Sequence, residues 1–203
     1  MFNSGISVKN LVSELKQEVD IALPISNKSY VLWLNSLEHF LYTEFIQEQN
    51  KIIVDGTNDC IINLGEISMP DDEAAIRFED IYTVFADTKQ LIKSTVTSGN
   101  IFPNTFYKMD NNLAYNALFQ PKEIRIIYFV KPKLKAVDEN DNIEPGNVML
   151  PIEFIDLVKA KLRGEAYKLS NEDSLAAKWL NDYNILLETF KAWLNSKQPN
   201  FGM

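Results

Sequence analysis

The run EIRIIYFV, residues 123–130, followed at once by KPKLKAVDENDNIEPG, residues 131–146, decides the fold class. The first is dense in β-branched and aromatic residues and reads as the strongest strand of the chain. The second begins basic, turns acidic, carries Pro132 and Pro145 and almost no large apolar residue, and reads as an exposed loop. Beyond the loop the period changes to a helical one. Pro151 stands where a first-turn proline belongs, and Ile155, Val158, Leu162, Ala166 and Leu169 recur at spacings of three and four. A turn at Ser170-Asn171 precedes a last helix with Leu175, Trp179, Tyr183, Leu186, Leu187, Phe190 and Leu194 on a wide apolar face, and with Ser170 and Asp173 in capping-box-like positions. The pattern stops before the tail that follows Pro199.

Upstream of residue 123 the chain reads as more strands. IIV at 52–54, CIINL at 60–64, DIYTVFA at 80–86 and LIKSTV at 91–96 are separated by Asp-Gly, Met-Pro and Ser-Gly-Asn breaks. FYKM and LAYNAL flank Asp110-Asn111-Asn112 as a hairpin, because Asn and Asp tolerate the left-handed backbone of tight turns. Before these lie two helical stripes. Val8, Leu11, Val12, Leu15 and Val19 form one, with Ser7 as N-cap and an end before Pro24. Tyr30, Trp33, Leu34, Leu37, Leu41 and Phe45 form the other, with Glu38, Glu44 and Glu48 off its apolar face and an end near Asn50.

Separate runs of helices and strands, without strict alternation, indicate an α+β fold. The expected organisation is a helical bundle from residues 1–50 and 147–198, its terminal helices antiparallel, with an inserted antiparallel β-rich block at 51–130, an exposed loop at 131–146 and a C-terminal tail at 199–203. The 203 residues are 46% hydrophobic and 24% charged, enough apolar surface for a packed core, which excludes disorder. Twenty Lys and Arg against 28 Asp and Glu leave a net charge of −8, the wrong sign for a reader of nucleic acid. No apolar run approaches the roughly 20 residues of a membrane span, and the N-terminus lacks the layout of a signal peptide, so an intracellular protein or a part of a larger particle is expected.

The residues that carry chemistry are sparse. There is no glycine-rich phosphate loop. Cys60 is the only cysteine and His39 the only histidine, so neither a multi-cysteine zinc site nor a disulfide within the chain can form. His39 reads as a structural or surface residue and Cys60 as a small hydrophobe in the core. Asp138-Glu139-Asn140-Asp141-Asn142 starts like a calcium loop, but Ile143 replaces the required Gly and Met149 the closing Glu. Asp71, Asp72 and Glu73 form an acidic cluster that reads as a turn or helix cap; as polar anchors they would serve a ligand- or carbohydrate-binding protein, and as an acid/base pair a hydrolase. Among the aromatics, Trp33, Trp179, Tyr183 and Phe190 read as core, whereas Trp193 and Phe201, near the frayed end, read as contacts for a protein partner.

One layout points further. A strand ending in Tyr128 to Pro132, an acidic loop from Asp138 to Glu144, Leu150-Pro151 opening a helix, and the rhythm Ala176, Trp179, Tyr183 in the next helix are preceded by Trp33-Leu34-Asn35 and by DIYTVF in the strand block. Over about residues 7–195 this resembles the head-to-tail adaptor, or connector-ring, proteins of tailed bacteriophages, including short-tailed phages of the crAss-like group. The resemblance implies a non-enzymatic structural virion protein with no cofactor, assembled in the host cytoplasm into a ring, typically of twelve copies, below the portal. It implies as partners the portal, other neck or tail proteins, and double-stranded DNA passing through without sequence-specific binding. A charge of −8 per subunit suits a channel through which DNA slides. Trp193, Gln198, Pro199 and Phe201 are then the expected portal contacts.

Overall fold

The computed structural model describes residues 2–21, 24–56, 60–95 and 102–197. It is mixed α+β, with four α-helices and a curled seven-stranded sheet, divided into a helical unit (residues 1–46 and 134–203) and a sheet unit (residues 47–133).

In the helical unit, α1 (Val8–Glu18) buries Val8, Leu11, Val12 and Leu15 as its spacing predicts; Ser7 is its N-cap residue, without a side-chain capping bond. The α2 helix (Asn27–Leu41) is capped by Ser26, whose Oγ accepts from Ser29 N at 3.2 Å, and it passes into a π-helical turn at Tyr42–Ile46. After a 3₁₀ turn at Ile152–Phe154 come α3 (Ile155–Leu169) and α4 (Asp173–Lys197). These two run antiparallel: Phe154 meets Phe190 at 4.9 Å between ring centres, and the Lys161 ammonium lies 5.3 Å from the Tyr183 ring centre. Gly164 leaves room for the Leu180 side chain of α4, since a Cβ there would stand 2.7 Å from Leu180 Cδ2. Ser170 does not cap α4. Its Oγ donates backwards to Ala166 O at 3.1 Å, and Asn171 turns the chain with φ 60°. Leu169, assigned to the apolar stripe, is exposed, and Leu157 is buried instead. The helix α1 is tied to α3 by the ion pairs Lys159–Glu14 and Arg163–Glu18.

The sheet unit begins with β1 (Gln49–Asp55), where the helical pattern was expected to continue to Asn50. It continues with β2 (Ile61–Ile62), β3 (Ile81–Ala86), β4 (Lys89–Lys93), β5 (Thr105–Met109), β6 (Asn112–Asn116) and β7 (Glu123–Phe129), in the order β1-β7-β3-β4-β5-β6-β2. The strand read most strongly from sequence is internal: β7 pairs with both β1 and β3. Its alternation sends Ile124, Ile126 and Tyr128 into the core, where Ile126 lies between Ile52 and Val84 and Ile124 between Val54 and Ala86. A register shift between Ile81 and Thr83 throws Tyr82 outwards against Phe129. The hairpin at Asp110-Asn111 is present, with Asp110 at φ 55°. Two expectations are corrected. The sheet is not wholly antiparallel, because β4 and β5 pair in parallel, and CIINL contributes only a two-residue strand, with Cys60 outside it at φ 55° and half-buried. Gly56 closes β1 against the loop before β7; a Cβ there would lie 2.0 Å from Pro121 O.

Candidate functional site

Two grooves open on the helical unit. At 3.6 residues per turn, Asp156, Ala160 and Arg163 share one side of α3 while Lys161 and Glu165 lie on another. The first set, with Trp179, Asp182, Ile185 and Leu186 of α4, lines a groove of about 480 Å³. Its Arg163 guanidinium is occupied: it bonds to Glu18 and stacks on Trp179, 4.5 Å from the ring centre. Asp156 and Asp182 remain, so this groove combines carboxylates with an indole face and an exposed Ile185. The second set, with Trp33, Leu37 and Phe40 of α2 and Tyr183 of α4, lines a groove of about 380 Å³. Lys161 and Glu165 pair across its edge at 2.7 Å. This groove is chiefly aromatic.

Trp33 and Trp179 were assigned to the core by their helical spacing. Tyr183 and Phe190 are indeed buried, but the two tryptophans are half-exposed and form groove walls. Trp193 departs in the opposite sense. It is not on a frayed end but inside α4, half-buried, stacked on Phe190 at 6.1 Å and packed against Phe154 at 5.2 Å and Phe2 at 5.6 Å. Gln198, Pro199 and Phe201 lie outside the described residues.

The acidic motifs are taken up within the protein. Glu73 is buried, and its carboxylate accepts from Tyr128 Oη at 2.6 Å and Asn50 Nδ2 at 2.9 Å; Asp71 and Asp72 are exposed in the preceding turn. Burial first, and the neighbouring carboxylate second, push the Tyr128 hydroxyl above its ordinary range. In the loop, Asp138 accepts from the amides of Asn140 and Asn142, both at 2.8 Å. Asp141 reaches further, accepting from the backbone N–H groups of Asn27 (2.8 Å) and Lys28 (2.9 Å). It thereby satisfies donors left open at the start of α2, and these contacts hold its carboxyl below the ordinary range. No group of three or more His, Cys, Asp or Glu side chains among the described residues is placed to hold a metal.

Sequence reading missed Glu38. Although assigned to the polar side of α2, it is buried, bonded to Lys135 and accepting from Met149 N at 2.7 Å. Asn35 holds Lys135 in place through both its backbone groups, at 2.9 Å each. Burial is the larger influence on Glu38 and raises its pKa, with Lys135 opposing. Lys135 is thus buried inside the stretch expected to be an exposed loop. His39, the next residue after Glu38, is exposed on α2.

Among the described residues no helix is long and apolar enough to cross a membrane. No protein-family model matches this sequence, and no curated protein matches it.

Proposed function

We propose that the chain is a structural subunit of a tailed-phage neck, one copy of a connector ring seated below the portal. The observation that carries this reading is the pair of unlike grooves on different sides of α3, one acidic with a half-exposed indole and an exposed isoleucine, the other aromatic with an ion pair at its edge. A rotationally closed ring requires heterologous contacts, in which two different patches of each subunit meet the corresponding patches of its neighbours. Exposed Leu32, Leu175 and Ile185 add apolar surface to the same helical unit. The charge of −8 keeps the wall of such a ring from gripping DNA. The carboxylates of the acidic turn do not favour a ligand-binding or hydrolytic reading, since Glu73 already accepts from two donors of its own unit.

The test is to mix purified protein with the portal protein of the same genome and to image the product by negative stain or weigh it by mass photometry. A stoichiometric ring added to the portal supports the proposal; no association at micromolar concentration overturns it. In the same assay, removing residues 196–203 is expected to abolish attachment while leaving the circular dichroism of the helices intact. Undiminished attachment of the truncated chain would remove the tail from the portal contact.

A further inference from the structure

The edge strand β1 offers a self-complementary surface. It lies at one end of the sheet and pairs only with β7. Gly56 N donates to Lys122 O at 2.9 Å and Val130 N to Glu48 O at 2.8 Å, which fixes the parity: even-numbered residues of β1 bond to β7, and odd-numbered ones turn their N–H and C=O to the open edge. Among the described residues the outward N–H of Lys51 reaches Asn50 Oδ1 at 2.8 Å, and Ile53 and Asp55 have no outward backbone partner. No proline or bulge interrupts the strand, and Ile53 is 52% exposed.

We propose that β1 pairs with β1 of a second copy, antiparallel about a two-fold axis at Ile53. In this register Ile53 faces Ile53 of the second copy, and Lys51 faces its Asp55, and the reverse, so both charge pairs are of opposite sign. The parity agrees, because each of these facing pairs consists of odd-numbered residues and exchanges two backbone bonds, the Lys51 N–H leaving Asn50 Oδ1 for the facing Asp55 carbonyl. Ile52 and Val54 face one another across the axis on the other side of the sheet. The registers centred on Lys51 or Asp55 put like charges opposite each other and are disfavoured. The registers centred on Ile52 or Val54 keep the parity but forgo both Lys51–Asp55 pairs, so charge favours the register centred on Ile53. The contact uses residues of the sheet unit alone and does not depend on the connector reading; being isologous, it makes pairs of copies and cannot close a ring.

Sedimentation velocity over a concentration series tests it, with the variants Lys51→Asp, Asp55→Lys and the double exchange, all at exposed positions. The expected results are a reversible dimer of the full chain, about tenfold or greater weakening by either single exchange, and recovery in the double variant. Amide hydrogen exchange at Ile53 and Asp55 should slow as the dimer fills. Monomers at roughly 100 µM overturn the proposal. A dimer insensitive to the single exchanges overturns it as well, as does a double variant that fails to recover, or an edge protected only on adding a different protein.

Discussion

The two units each bury a glutamate, and they stabilise it by opposite means. In the helical unit Glu38 is met by a buried cation, Lys135, and by one backbone amide. In the sheet unit Glu73 is met by neutral donors, the Tyr128 hydroxyl and the Asn50 amide. A buried ion pair suffers the desolvation of two charges and depends on both partners, whereas a carboxylate held by neutral donors loses one hydrogen bond at a time. Glu38 links α2 to residues about a hundred positions later in the chain, so its bond is also a closure of the unit. Glu73 joins a turn to two adjacent strands that the β1–β7 ladder already fixes.

The sharpest way to break this contrast is Lys135→Met, which strands Glu38 without its cation. A loss of about 3–5 kcal/mol is expected in urea unfolding at neutral pH. Adding Glu38→Gln should return part of it, and a wild-type-like single variant would show that the pair is not what closes the unit. Next in size is Tyr128→Phe, expected to cost about 1–3 kcal/mol through the lost donor to Glu73. If it cost as much as Lys135→Met, the distinction between charged and neutral partners would fail.

The pH dependence sharpens the comparison by sign. Folding raises the Glu38 pKa, so its contribution is complete below the ordinary value of 4.5 and is lost as pH rises through the folded value. Wild type should therefore lose stability relative to Glu38→Gln over that rise, measured by thermal unfolding across the acid range; a flat difference would contradict the burial of a charged carboxylate. Asp141 has the opposite sign, with stability present above its ordinary 3.8 and lost as pH falls through the folded value. Its removal in Asp141→Ala has the smallest expected effect, about 1 kcal/mol or less, because one of its helix-end bonds is solvent-exposed, the other only part-buried, and Ser26 still caps the helix. A larger loss in denaturant titration would mean that the loop does more than finish α2.

What could be read from the residues follows the range of the interactions. Periodicity located the helices and most strands, since Leu11, Leu34, Ile124 and Ile126 obey local spacing that burial then enforces. The parallel pairing of β4 with β5 and the placing of β7 between β1 and β3 are choices between strands with similar patterns, and no local signal distinguishes them. Glu38 reads as polar because its partner is distant in sequence, and Asp141 reads as part of an exposed loop because the helix end that receives it lies 114 residues away. The tryptophans failed for another reason. Helical spacing places Trp33 and Trp179 towards the apolar side, but a side chain that large can line a groove and still count as part of the stripe, whereas Trp193 is taken up by the rings of Phe154 and Phe190.

The nesting of one unit within the other sets an order of events during synthesis. Residues 47–133 are contiguous, so the sheet unit has all its strands once residue 129 has left the ribosome. The helical unit is split, and α1 and α2 are made long before α3, the helix that packs on both. Until Lys135 and Met149 arrive, Glu38 lacks the two groups that meet it in the folded unit. Its burial waits on residues 135–149, and a product that ends before them would leave Glu38 on its helix without either partner.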